Sequence, residues 1–207
     1  MIKAFSFTCL RDVEFVKRIH EQLTSAGIEH IMYVDESEVS RFPFPCVSRG
    51  SHPNGTNGFG RSGFYAKLAC IKDMVSRTSD GDTILDCDSD VLFDSPEIAF
   101  NMKCSGDEFK GWNGGADKFA TYTDIAGDEQ FFYTSGPCKS YSRVLAEKIV
   151  NSDTESAINK LMQAGFTPSE DCTTGFLLSR FGKITNMKKI YSWEYLPGTV
   201  RIHVNTH

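Results

Sequence analysis

Thr83-Ile-Leu-Asp86-Cys-Asp88-Ser-Asp90-Val-Leu-Phe-Asp94 runs from apolar residues into closely spaced aspartates. Thr83 to Leu85 reads as a short buried strand. Between Thr78 and Met102 stand seven acidic residues and no lysine or arginine, so nothing nearby in sequence neutralises the group. On an extended chain, positions i, i+2 and i+4 project from one face. Like charges so placed raise one another's pKa unless a cation or a partner from elsewhere intervenes. Hard oxygen donors at this density suit Mg²⁺ or Mn²⁺, which take one or two carboxylates plus substrate phosphates. An apolar strand ending in acids marks the edge where an α/β sheet places its site, and the competing reading is a solvated turn rich in Asp.

Upstream, Ala4 to Cys9 reads as a buried strand. Asp12 can cap a helix whose Val13, Val16, Ile19 and Leu23 recur at helical spacing, and Gly27 supplies its stop. Ile28 to Val34 is a second strand ending at Asp35, which completes a βαβ unit of parallel strands. Residues 42–63 hold three prolines and five glycines and read as a long loop, of the kind that is more often functional than idle. Phe64, Leu68, Ile71 and Val75 predict the next helix, closed by a turn at Gly81. Downstream, Ser95 and Pro96 enter a helix over 95–103. Extended segments follow near 110–112 and 131–133, then helices over 139–150, 154–164 and 170–181 and a strand over 184–191. No repeat or linker divides the chain. The fold class is α/β, a single domain over 1–207 with a mixed, mainly parallel central sheet flanked by helices.

The 207 residues suffice for one well-buried domain. Twenty-two basic against 27 acidic residues give a net charge of −5, which disfavours a phosphate-binding nucleic-acid surface. With 40% hydrophobic and 24% charged residues, neither disorder nor a membrane protein is indicated. No apolar run approaches the ~18 residues of a bilayer span, and Arg11 and Asp12 interrupt any signal peptide. The seven cysteines include no CxxC pair, so they read as reduced thiols in a cytoplasmic protein rather than zinc ligands.

Three chemistries compete for the aspartates. A calcium loop of EF-hand type matches Asp86, Asp88, Asp90 and Glu97 but needs Gly where Val91 stands, and a strand precedes it. An aspartyl nucleophile at Asp86 or Asp88 would normally end the first strand of its domain, whereas two strands come earlier. The third is nucleotide-sugar chemistry. The apolar strand, Asp-x-Asp and Val-Leu-Phe resemble the DxD element of GT-A-type, family-8-like glycosyltransferases. Arg61-Ser-Gly-Phe-Tyr-Ala-Lys67-Leu resembles the basic helix before that strand, Phe132-Tyr-Thr-Ser135-Gly136-Pro137 is similar to a later SG segment, and Glu170-Asp171-Cys-Thr-Thr-Gly resembles a late acidic helix start.

The resemblance implies a GT-A-type Rossmann-like fold in two halves, 1–94 for the nucleotide sugar and 95–207 for the acceptor. It implies a Mn²⁺ or Mg²⁺ cofactor held by Asp88, Asp90 and the C-terminal His203. Asp86-x-Asp88 is the alternative register, and Asp88-x-Asp90 is preferred because apolar residues follow it. Thr8, Cys9 and Asp35 fall where the nucleoside lies, with Asp88 near the ribose and Arg61 and Lys67 near the phosphates. Asp171, with Glu170 beside it, is the general-base candidate for an inverting reaction. Under retention it would orient substrate, and the sequence leaves the two open. Apart from the resemblance, Trp112 and Trp193 are aromatic faces that could stack on an acceptor, with core packing the stronger reading of either taken alone. The expected donor is a nucleoside-diphosphate sugar, UDP-sugar favoured, and the acceptor (glycan, protein or modified nucleobase) is open. The small size leaves room for a homo-oligomer. A nucleotidyltransferase of the same fold lacks its Gly-rich loop after strand one, and a non-catalytic cation-binding module is the reading from another class.

Overall fold

The structure, a computed structural model, describes residues 1–50, 60–111, 138–163, 170–187, 191–192 and 200–201, with backbone alone at 60–62, 186, 191–192 and 200–201. In chain order the strands are β1 (Ile2–Phe7), β2 (Glu29–Val34), β3 (Val47–Ser48), β4 (Thr83–Asp88), β5 (Leu92–Phe93), β6 (Glu108–Gly111), β7 (Cys138–Ser142), β8 (Lys183–Asn186), β9 (Tyr191–Ser192) and β10 (Val200–Arg201). The helices are α1 (Val13–Ser25), α2 (Gly60–Arg77), α3 (Arg143–Val150), α4 (Thr154–Gln163) and α5 (Glu170–Phe181).

Seven strands form one sheet in the order β3-β2-β1-β4-β7-β6-β8. All neighbours are parallel except β7, which runs antiparallel to both β4 and β6. Strands β5, β10 and β9 make a smaller sheet. Helices on both faces leave the central strands no solvated side, which is why β2 and β4 read as apolar runs rather than alternations. One face packs Leu85, Cys87 and Cys138 against Val16, Ile19 and Leu23 of α1. The other packs Phe5, Ile84 and Tyr141 against Phe64, Ile71 and Met74 of α2 and against α3, α4 and α5.

Strand β1 leads through α1 to β2 on one side and pairs with β4 on the other, in a register that sets Phe7 opposite Asp88. The order reverses at β1, so a crevice opens between the C-terminal ends of β1 and β4. Open α/β sheets bind ligands at such a switch point.

Several sequence expectations are corrected. Strand β1 covers Ile2–Phe7 rather than 4–9, and β4 continues through Asp86 and Cys87 to Asp88. The 42–63 loop contains β3 and the start of α2. Residues 96–102 form a 3-10 helix, capped as read by Ser95 accepting from the Glu97 amide at 3.3 Å. The expected helix over 139–150 is a strand and then a helix. Pairing with β4 wins up to Ser142, whose Oγ accepts from the Leu145 amide at 3.0 Å and starts α3. Asp12 stands at the N-cap of α1 without capping it, because its carboxylate accepts from Cys9 Sγ and Arg11 Nε, both at 3.2 Å. All seven cysteines are free thiols, six of them buried. Among the described residues no helix is long and apolar enough to cross a membrane.

Candidate active site

The alternation of β4 decides which aspartates meet. Leu85 and Cys87 turn toward α1, while Ile84, Asp86 and Asp88 turn toward α2 and α5. After Asp88 the strand gives way to a turn at Ser89 and Asp90, so the three carboxylates do not share one extended face as expected. Asp90 instead lies half-buried in that turn, two residues past the end of β4.

Asp86 is only 1% exposed, too deep to reach a ligand in solvent. Two lysines neutralise it from elsewhere in the chain. Lys67 Nζ of α2 donates to Oδ1 at 2.7 Å, and Lys139 Nζ of β7 lies 3.7 Å from Oδ2. Lys139 stands directly opposite Asp86 in the β4–β7 register. Each lysine also reaches the first turn of α5. Lys67 is 3.5 Å from Glu170 Oε1, and Lys139 donates to Asp171 Oδ1 at 2.5 Å. Burial opposes both ammonium charges, but Asp86 and Glu170 for Lys67, and Asp171 and Asp86 for Lys139, hold their pKa values above the ordinary lysine range. The ammonium of Lys67 also lies 5.4 Å from the ring centre of Phe5 and 5.7 Å from that of Phe7.

Four carboxylates, of Asp86, Asp88, Glu170 and Asp171, thus face two ammonium groups. The carboxyls outnumber the ammonium groups, and Asp88 is the one held toward its protonated form. Burial, then the neighbouring Asp171, push its carboxyl well above the usual carboxylate range, with Lys67 opposing. Burial likewise raises Glu170 to about 6, against the pull of Lys67 and with Asp171 adding to the rise. Glu170 Oε2 is buried without a hydrogen-bond partner.

The nucleoside-side candidates line the same edge. Thr8 follows β1, with Oγ1 buried and no hydrogen-bond partner. Cys9 is buried beside it and bonded to Asp12. Asp35 follows β2 and closes its own turn, Oδ1 accepting from Ser37 N at 3.0 Å and Ser37 Oγ at 2.7 Å. Arg49 after β3 lies 3.8 Å from Asp35 Oδ2 and stacks 4.1 Å from the ring centre of Phe7. Arg61 is on the first turn of α2, its side chain outside the described residues, as are His203, Ser135, Trp112 and Trp193 in full. Among the described residues no three His, Cys, Asp or Glu side chains gather in a metal-holding group.

The structure therefore joins Lys67, Asp88, Glu170 and Asp171 in one cluster, with Asp90 in the turn that follows β4 and Thr8, Cys9 and Asp35 after the ends of the neighbouring strands. Sequence reasoning missed Lys139 and Arg49. The signal for Lys139 was a lysine alternating with Tyr141 among the small residues Cys138, Ser140 and Ser142, a strand pattern rather than a helical one.

The same arrangement of strands and helices recurs in solved structures. A structure of the galactosyltransferase LgtC with donor and acceptor sugar analogues matches 99% of this chain and 87% of its own, with a TM-score of 0.61 at 13% identity. An active-site mutant of LgtC matches 100% of this chain and 88% of its own, with a TM-score of 0.63 and again 13% identity. The chain has the GT-A fold. The glycosyltransferase GlyE of Streptococcus pneumoniae shares it at a TM-score of 0.54 and 8% identity, over 98% of this chain and 54% of its own. No protein-family profile and no curated protein matches the sequence. In this version of the GT-A fold, the charged cluster occupies the switch-point crevice of the sheet.

Proposed function

We propose that this protein is a divalent-metal-dependent glycosyltransferase that moves a sugar from a nucleoside-diphosphate sugar to an acceptor. The observation that carries the reading is the surplus of carboxyl groups (Asp86, Asp88, Glu170, Asp171) over ammonium groups (Lys67, Lys139) at the switch-point edge of a GT-A fold. Carboxylates in such surplus are stabilised when a cation arrives. The donor set fits Mg²⁺ or Mn²⁺: Asp88 at the strand end and Asp90 in the following turn offer hard oxygens, and phosphate oxygens and water would complete the shell. His203 is the proposed third protein ligand. When bound, the cation would neutralise charge on the departing nucleoside diphosphate.

Asp86 is excluded from the ligand set by its burial and its two lysines, which favours the Asp88-x-Asp90 register. Thr8, Cys9 and Asp35 form the proposed nucleoside edge, with a UDP-sugar favoured by the family resemblance, and Arg61 is the proposed phosphate contact. Lys67 serves the floor of the site, since its ammonium is held between Asp86 and Glu170. For an inverting transfer the proton acceptor comes from the α5 pair. The geometry favours Glu170 over Asp171, because Lys139 engages Asp171 while burial tunes Glu170 to about 6, within the range of a base working near neutral pH. Free, mostly buried thiols fit a reducing compartment.

Calorimetry with UDP, GDP and their sugars, in Mn²⁺ and in EDTA, tests the reading. One nucleotide should bind only with metal, and Asp90→Ala should abolish that binding while its circular dichroism stays unchanged. Full metal-dependent binding and transfer by Asp90→Ala would sink the assignment.

A further inference from the structure

Asp86 and Lys139 are the charged residues that the reaction itself does not require. Both are buried and stand opposite each other on adjacent strands, with Phe5 beside Asp86 on β1 and the Ile84–Tyr141 pair two residues along the same face. A buried ion pair stabilises a fold little more than a well-packed apolar pair of the same volume. Charge at this level is therefore better explained by what it holds. Lys139 reaches from Asp86 to Asp171, and Lys67 reaches from the same Asp86 to Glu170. An ammonium has three donors in a compact head, so one lysine can bridge two carboxylates and fix their spacing.

We propose that Asp86 and Lys139 are positioning residues: Asp86 anchors both ammonium groups at the sheet, and Lys139 holds the Asp171 carboxylate so that the first turn of α5 faces the crevice in its working orientation. The inference rests on the glycosyltransferase reading and assigns neither residue a contact with donor or metal.

The test compares wild type with the double variant Asp86→Asn/Lys139→Met, which removes one charge of each sign and leaves the cluster's net charge unchanged. Lys139→Arg is the conservative control, because a guanidinium can still bridge two carboxylates. The double variant should melt close to wild type and bind the nucleoside diphosphate with unchanged affinity in Mn²⁺. Its kcat should fall about 10- to 100-fold, the usual loss when a supporting partner of a site is removed. Lys139→Arg should recover most of that loss. Amide hydrogen exchange at residues 170–174 should be faster in the double variant than in wild type. Wild-type kcat in a folded double variant would overturn the proposal and leave the pair purely structural. A loss confined to donor affinity would also overturn it, since Lys139 would then touch the donor. Lys139→Gln, which keeps an N–H donor on a shorter stem, is read by the same criteria if the double variant does not fold. Should wild type turn over no nucleotide sugar, the transferase reading has failed, and exchange alone judges the hold: faster exchange at 170–174 upholds it, and unchanged exchange sinks it.

Discussion

Asp86 and Asp88 occupy the same face of one strand, two residues apart, and meet opposite electrostatic fates. With both lysines drawn to Asp86, burial and the neighbouring Asp171 hold the Asp88 carboxyl toward its protonated form. A carboxyl whose folded pKa is raised costs stability once pH passes the unfolded value near 4, because the folded protein then resists losing that proton. Asp88→Asn should therefore raise the melting temperature of the metal-free protein at pH 7, by about 2–4 °C for each kcal/mol relieved in a chain of this size. The same variant should lose metal-dependent nucleotide binding. A melting scan in EDTA checks the first half, and an unchanged or lower midpoint would contradict it. His30 shows the reverse sign. Burial, with His20 adding, lowers its pKa to about 3, and its ring nitrogens lie 3.2 Å from His20 Nδ1 and 3.0 Å from Ser6 Oγ. Below pH ~6.5 the unfolded chain takes up a proton that the folded protein refuses, so stability falls by about 1.4 kcal/mol per pH unit as pH drops toward 3. Urea midpoints at pH 7 and pH 5 should show this fall, and His30→Gln should flatten it.

At the scale of elements, the junctions decide how precisely the site is presented. Helix α5 ends at Phe181, and Gly182 turns the chain directly into β8, its amide donating to Leu178 O at 2.8 Å. A Cβ on Gly182 would lie 2.5 Å from the backbone oxygen of Asp107 and 2.8 Å from Leu145 Cδ2. That oxygen also accepts from the Lys183 amide at 2.7 Å, so it cannot yield without breaking the β6–β8 junction. Gly27, which stops α1 at φ +74°, has open space around it and requires glycine only for its backbone angle. Gly27→Ala should cost about 1 kcal/mol. Gly182→Ala should cost clearly more, in the range of about 1–3 kcal/mol or above typical of overpacking. Denaturant titration of the two variants checks the ranking, and equal midpoints would refute the close-approach argument.

At the scale of the molecule, the proposed ligand couples to the whole fold. Anything that binds the folded state alone stabilises it, by about 2.7 kcal/mol at a concentration one hundred times Kd. Mn²⁺ with the correct nucleoside diphosphate should raise the melting temperature together, and EDTA should return it to the free value. A shift produced equally by either component alone would argue for two independent sites and against a shared one at the sheet edge.

Local order was strongly written in the chain. The helical spacing of Val13, Val16, Ile19 and Leu23, the stop at Gly27, the apolar runs of β2 and β4 and the Asp-rich exit from β4 were legible because each depends on neighbours in sequence. They were enough to specify α/β class, the βαβ start and the edge on which a site would form. Only the tertiary structure decided which aspartate is buried between lysines and which stands at the end of the strand. The neutralising charges come from Lys67 and Lys139, 19 and 53 positions away from Asp86 in opposite directions, and no local pattern reports that they pair with it. It also decided that 138–142 is a strand, because pairing with β4 outweighed a helical reading of the same residues. Periodicity records how a segment meets water and its nearest neighbours. The ionic partners of a buried site are set by which strands and helices the packed sheet brings side by side.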